Sequence, residues 1–498
     1  MNDSAKNADC VADTAEGPVR GRLVEGVRVY KGVPYAQPMT GELRFRDPLP
    51  AQPRGRELDA REPAPIAPQG RSRLALAMGD FSLQQSEDCL TLDIYAPDGA
   101  PGSRKPVIAW IHGGAFTSGA GSLPWYGGGT LARNGDVVTV GINYRLGALG
   151  FLYLPGLSAG NLGLKDQVQA LQWIKQNIQH FGGDPDNITV MGQSAGGASI
   201  AAMLTMPQLD GLFKRAIMQS ASMGRMFNSP EDSERLGRAY LKLLDIAPGQ
   251  AAQLRQVPVD KLLQAQQALG AAERKLAQTK PPFWLVRDGD YIRSELLDTL
   301  GPDRRLGIDL LIGTTREEMA AFYKHDEAVR NAGADVVEQL FHAEFGDQAR
   351  QYMDAYRRRR AVPNAAALLG DMNTDKVFRL GSLELAATFK RKGLSAYVYQ
   401  FDWQSPAGYE SCHCLELPFV FGDLRLWADA PMLAGMDESE FAGLSNAMQQ
   451  AWAAFARSGD PGHAGIPQWD AYSDENRNVM HFDRLIEPRR AWIAPGLD

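Results

Sequence analysis

Short apolar runs rich in β-branched residues recur along the chain, with stretches of helical period between them. The clearest runs are residues 107–111, 137–143, 188–191, 215–219, 309–313 and 396–401. They lack polar alternation, as strands buried on both faces do. Between them, Val168, Leu171, Ile174 and Ile178 recur at helical spacing and predict a helix over 166–180. Met448, Trp452 and Phe455 do the same over 444–457, with Gly459 as the stop. Strand–helix alternation of this kind predicts an α/β architecture: a large, mostly parallel central sheet flanked by helices.

Two regions depart from that rhythm. Residues 1–16 read as a polar tail, after which 22–35 and 90–95 look like antiparallel strands joined by Pro-rich loops. Residues 225–301 form polar, Gln-rich helices, one opening at Ser229-Pro230-Glu231: a cap residue, a first-turn proline and an acid suited to the helix dipole. A second helical block covers 334–360. Both interrupt the alternation and are expected as a cap and a side lobe on one domain running from 17 to 498. The run Arg357–Arg360 is read as a solvated helix end.

Composition narrows the function classes. In 498 residues, 44% are hydrophobic and 22% charged, the profile of a folded protein rather than a disordered one. A net charge of −7 argues against a nucleic-acid partner. No stretch reaches the ~18 consecutive apolar residues of a membrane span, and the polar N-terminus leads into no apolar signal core. Four cysteines, Cys10, Cys89, Cys412 and Cys414, fit a reducing compartment, so the expected location is cytoplasmic. The expected partner is a small molecule, with the chain a monomer or weak homo-oligomer.

Two G-x-S-x-G matches occur. Gly156-Leu157-Ser158-Ala159-Gly160 runs from one loop into another, and Ser158 reads as a turn residue. Gly192-Gln193-Ser194-Ala195-Gly196 follows the 188–191 strand and opens an apolar helix. That strand–turn–helix setting is what a nucleophile elbow requires; the competing reading of Ser194 is a helix N-cap. Ahead of it, His112-Gly113-Gly114-Ala115-Phe116 leaves the end of the 107–111 strand. A loop of this type supplies backbone N–H groups to an oxyanion. No G-K-[ST] follows it, which disfavours a phosphate loop.

A serine nucleophile needs a base and an acid after it in the chain. Of seven histidines, His112 and His180 precede Ser194; His325, His342 and His463 read as helical or surface residues, and His481 as structural. His413 follows the 396–401 strand. For the acid, Asp288, Glu317 and Glu318 compete, and order alone does not separate them.

From about residue 17 to 472 the chain resembles the type-B carboxylesterases, the cholinesterase-like branch of the α/β-hydrolase fold. The matching stretches include Gly32–Ala36, Leu43–Phe45, Ser86–Leu90, His112–Phe116, Asn161–Gln167, Gln193–Gly197, Gly313–Glu318, His413–Phe421 and Phe455–Pro461. The resemblance implies a Ser194–His413–Glu318 triad and oxyanion donors at Gly114, Ala115 and Ala195, with Gly113 in the same loop. It also implies no cofactor and no metal. The implied function is a serine carboxylesterase acting on uncharged short-to-medium esters through an acyl-enzyme. Carbamate or amide hydrolysis by the same triad is an alternative, as is a non-catalytic adhesion-type binding protein.

Departures from the family pattern are informative. Gln193 stands where many members carry Glu, which removes a carboxylate from beside the base. Ala67 stands where the resemblance places the disulfide partner of Cys89, leaving Cys89 a free thiol. The absence of Trp between Ala67 and Cys89 removes the wall of a choline cage. Phe116, Phe283 and Trp284 are candidate substrate-pocket aromatics, with ordinary core packing as the other reading. Ala115 preserves a small-residue oxyanion loop, which by resemblance leaves room for bulky alcohol groups. Cys412 and Cys414 flank His413 and are expected as packed thiols, since three adjacent residues are too few for a metal site.

Overall fold

A computed structural model describes residues 8–99, 102–225, 227–299 and 307–493. The strands are β1 (Asp9–Thr14), β2 (Gly17–Val24), β3 (Val27–Pro34), β4 (Leu58–Asp59), β5 (Thr91–Pro97), β6 (Lys105–Ile111), β7 (Val138–Ile142), β8 (Tyr153–Leu154), β9 (Ser158–Ala159), β10 (Gly183–Gln193), β11 (Arg215–Gln219), β12 (Asp309–Thr315), β13 (Ala396–Phe401), β14 (Asn478–Phe482) and β15 (Glu487–Arg490). One 13-stranded sheet runs β1-β2-β3-β5-β7-β6-β10-β11-β12-β13-β14-β15, with β4 beside β2; β8 and β9 form a separate hairpin. From β7 to β14 every neighbouring pair is parallel; the pairs at both ends of the sheet are antiparallel except β2 with β4.

Burial follows this division. Strand β7 is buried at every position, whereas β2 and β3 mix buried with partly exposed positions. Along β6, Val107, Ala109 and Ile111 enter one core and Ile108 and Trp110 another, the period-two signature of a sheet covered on both sides. A third core joins Phe341, Tyr352, Tyr356, Leu369 and Phe378 in the helical block after β12.

Three expectations need correction. The polar tail contains β1, paired with β2; polar residues suit an edge strand with a solvated face, and residues 1–7 lie outside the described ones. The helix expected over 444–457 spans Glu438–Ser458, because its first turn is polar and carries no apolar period. Asp437 caps that helix by accepting from Ser439 N and Glu440 N, and Gly459 ends it at φ +87°. The arginine run is not uniformly solvated: Arg357 and Arg358 are exposed, but Arg359 and Arg360 turn inward, Arg360 gripping Asp371 with Nε at 2.8 Å. The Ser229 cap forms as expected, its side chain accepting from Asp232 N. In the cap segment expected over 225–301, residues 226, 300 and 301 lie outside the described ones.

Candidate active site

The chemistry-bearing loops leave the C-terminal ends of adjacent parallel strands, where open α/β sheets place their sites. Ser194 follows β10 at φ +56°, ψ −116°, a conformation outside both strand and helix, and Ala195 begins the helix Ala195–Leu204. The strained turn is held because Ser194 N donates to Gln219 O at 2.9 Å and Ala198 N donates to Ser194 O. Gly196 is required by packing: a Cβ there would lie 2.0 Å from Ile111 O. The decoy Ser158 sits in the β8–β9 hairpin, where its hydroxyl accepts from Gly160 N.

The loop after β6 passes directly over this turn. A Cβ at Gly113 would meet the Gln193 side chain at 2.4 Å and Ser194 Cβ at 3.0 Å, so glycine alone permits the approach. Gly114, Ala115 and Phe116 all have positive φ (106°, 55° and 58°), and Thr117 N closes the turn on Gly114 O. His112 stays out of the reaction space: it is buried, stacked on Tyr144, and desolvation lowers its pKa to about 4.

His413 lies in the segment after β13, with Nδ1 2.5 Å from Glu318 Oε2. Glu318 is fully buried, and its Oε1 accepts from Thr315 N at 2.8 Å. The rings of Phe378 and Phe322 flank the imidazole at 5.1 and 5.4 Å. On the other side, His413 Nε2 faces the Gln193 side-chain amide at 3.0 Å, and that amide also reaches Cys414 Sγ. The other two acids serve elsewhere. Asp288 accepts from Tyr291 N and Ile292 N in its own loop, and Glu317 pairs with Arg316 and accepts from Ser411 N. His481 pairs with Asp402.

One cavity joins these parts. It is lined by Gly113, Gly114, Ala115, Gln193, Ser194, His413 and Cys414, and walled by Leu74, Met78, Phe81, Leu123, Trp125 and Phe322, with free space of about 50 Å³. Phe116, Phe283 and Trp284 do not line it. Phe116 packs on Phe151 and Trp284, and Phe283 on Tyr240, all within the main core. The walls come instead from residues 74–81 and Trp125, where Leu74, Met78 and Phe81 fall at i, i+4 and i+7, the spacing of one helix face, and a short helix forms at Ala75–Met78. That shared face was the one local signal, and it does not say what the face lines.

All four cysteines are free thiols, Cys89, Cys412 and Cys414 buried, and burial raises the pKa of each of those three. Among the described residues no group of three His, Cys, Asp or Glu side chains could hold a metal ion. No helix among them is long and apolar enough to cross a membrane.

Comparison with known proteins identifies the family. A profile of the Carboxylesterase family matches residues 8–490. The chain belongs to the carboxylesterase family. Within it, the chain is 37% identical to the para-nitrobenzyl esterase of Bacillus subtilis over 96% of its own length and 95% of that protein's. It is 36% identical to the phenmedipham hydrolase of Pseudarthrobacter oxydans, over 94% of each chain. Among solved structures, a thermophilic para-nitrobenzyl esterase superposes with a TM-score of 0.86 at 37% identity, covering 96% of this chain and 97% of that one. The carboxylesterase of Geobacillus stearothermophilus gives 0.86 at 35% identity with the same coverage. As a carboxylesterase with the α/β-hydrolase fold, this protein is a carboxylic ester hydrolase.

Proposed function

We propose that this carboxylesterase cleaves uncharged short-to-medium esters through an acyl-enzyme on Ser194. The observation that carries the reading is the shared cavity: Ser194 at its elbow, the Gly113–Ala115 loop above it, and His413 beside it with Glu318 bonded to the far ring nitrogen. Ser194 Oγ attacks the ester carbonyl carbon as His413 Nε2 takes its proton. The oxyanion is held by N–H groups of Gly114, Ala115 and Ala195, with Gly113 shaping the loop. Collapse breaks the bond to the alcohol oxygen, which leaves with the proton from His413. Water, deprotonated by the same nitrogen, then releases the acid. Glu318 holds the imidazole tautomer and offsets its positive charge.

Apart from Ser72, Ser118 and Arg73, whose Nη1 donates to Thr279 O, the walls of the cavity are apolar, and no carboxylate lines it, which supports an uncharged substrate. The small-residue oxyanion loop supports bulky alcohol groups. A second reading, cleavage at an acylated nitrogen, is favoured by relatives named phenmedipham hydrolase and probable N-octanoylanthranilate hydrolase, the latter 35% identical. Helices of 227–299 and 334–360 serve as cap and side lobe, and the protein works in the cytoplasm as a monomer or weak homo-oligomer.

The test is hydrolysis of p-nitrophenyl acetate, butyrate and octanoate by wild type and Ser194→Ala. The expected result is loss of about five to six orders of magnitude in kcat with the fold intact. Equal turnover by the two proteins, or none by a folded wild type, overturns the proposal.

A further inference from the structure

A cluster of arginines lies away from Ser194, with Arg379 buried, Arg359 partly buried, and Arg316, Arg489 and Arg490 exposed. A cavity of about 290 Å³ opens between β12, β13, β14, the helix Leu380–Arg391 and the segment that follows β15, and shares no lining residue with the esterase cavity. Five arginines line it: Arg316, Arg359, Arg379, Arg489 and Arg490. The only carboxylate among its lining residues is Asp402, already paired with His481 and accepting from Gln400 Nε2.

Two of these guanidinium groups are incompletely satisfied. Arg379 is 5% exposed and sits on a π-helical turn, Asp375–Arg379, a distortion frequent at functional positions. Its Nη1 pairs with Asp375 and its Nη2 donates to Arg316 O, but its Nε has no hydrogen-bond partner among the described residues. Arg359 Nη1 is likewise buried without one, while the guanidinium carbon lies 3.8 Å from the Trp492 ring centroid. Burial, then repulsion from Arg379, pulls the Arg359 pKa below its ordinary value. Asp375, Glu317 and Glu487 pair with Arg379, Arg316 and Arg489 and offset part of the charge, but the two buried N–H groups still lack an acceptor, which an oxyanion would supply. Arginine forks match the geometry of phosphate and carboxylate oxygens.

We propose that this cavity is a binding site for a small, multiply charged oxyanion, held by Arg359 and Arg379 inside and by Arg316, Arg489 and Arg490 at its edges. The volume is near the lower end of the ~300–1,000 Å³ typical of small-molecule sites, which suits a tricarboxylate or a phosphomonoester better than a monovalent ion. The site also touches the esterase chemistry from behind. Arg379 holds the carbonyl of Arg316, two residues before Glu318, and Arg316 N donates to Phe401 O. An anion bridging Arg316 and Arg379 therefore bears on the loop that carries Glu318.

Isothermal titration of the full chain with citrate, and separately with inorganic phosphate, at constant ionic strength set by sodium chloride, tests this. The expected result is saturable binding with submillimolar Kd for at least one anion, weakened tenfold or more in Arg359→Met and in Arg490→Gln. Tighter citrate binding identifies a carboxylate ligand, and tighter phosphate binding a phosphate ester. Without anion, Arg359→Met is expected to melt no lower than wild type, since it removes a partly buried guanidinium with an unsatisfied N–H; an arginine kept only for packing would melt lower when replaced. Absence of saturable binding by either anion, or equal binding by wild type and both variants, overturns the proposal. Binding is read without turnover, so its failure is distinct from failure of the esterase reading.

Discussion

The side-chain amide of Gln193 lies 3.0 Å from Nε2 of His413, the nitrogen that the mechanism assigns to Ser194. Gln193 thus occupies the base's working edge with a neutral group, tethered on its other side by Cys414 Sγ at 3.2 Å. Attack by Ser194 needs this amide to yield that nitrogen. An amide stabilises a neighbouring positive charge less than a carboxylate does.

Gln193→Glu places a carboxylate against the imidazole and favours its protonated form. The midpoint of the rise of kcat/KM with pH is expected to move up by roughly one unit, with activity at high pH retained. A midpoint that does not move would show that Gln193 is not in contact with the working base.

Glu416 lies beneath the His413 loop, fully buried, with Oε1 accepting from Gln219 Nε2 and Oε2 without a partner among the described residues. Burial, and then the charge of Glu318, raise its pKa from 4.5 to about 8. The folded protein therefore holds this proton more tightly than the unfolded chain does, and stability falls as pH rises through that window. Glu416→Gln mimics the protonated form. It is expected to match wild type near pH 5 and to exceed it at pH 9 by on the order of 4 kcal/mol, the gap levelling above the folded-state value. Urea unfolding across pH measures it; a gap that does not grow with pH would contradict the shift.

The cavity at Ser194 is narrow, and Trp125 closes one side of it, stacked on Trp427 at 5.2 Å and edge-on to Phe81. Trp125→Ala should open room for longer acyl chains. The ratio of kcat/KM for p-nitrophenyl octanoate to that for acetate is expected to rise about tenfold or more, on the scale of one to a few methylenes in an apolar pocket. An unchanged ratio would place the acyl chain elsewhere.

Arg145 and Asp166 form a buried pair, with Nη2–Oδ1 at 2.6 Å, Nε–Oδ2 at 2.8 Å and the Arg145 backbone N–H also on Oδ2. It ties the chain after β7 to the helix Leu162–Asn177. Asp166→Asn leaves the guanidinium buried without a counter-charge and is expected to cost about 3–5 kcal/mol in urea unfolding. A loss under ~1 kcal/mol would mean that water reaches Arg145.

Local rules carried much of this protein on their own. Continuous apolar runs located the buried centres of β6, β7, β10, β11, β12 and β13, because burial on both faces leaves no polar position to blur them, whereas the polar start of β10 at Gly183–Asn187 carries no such run. The elbow at Ser194 and the small-residue loop at Gly113–Ala115 were legible because a left-handed turn and a close backbone approach each restrict residue choice over a few neighbouring positions. Gly459 and Ser229 marked helix ends for the same local reason.

Tertiary structure decided what depends on distance across the chain. Residue order left Asp288, Glu317 and Glu318 equal; the packing of β12 against β13 brings Glu318 alone against His413, while Asp288 sits in a separate loop and the neighbouring Glu317 side chain turns to Arg316 and Ser411 N. Leu74, Met78, Phe81 and Trp125 wall the cavity, while Phe116, Phe283 and Trp284 fill the core, because an aromatic side chain meets the same apolar surroundings in either place and no local signal separates the two. Residues 9–14, polar and apolar in equal number, became an edge strand only through pairing with β2. Five arginines scattered from 316 to 490 carry no pattern along the chain, and only the folding of helices and strands around one cavity sets their charges side by side.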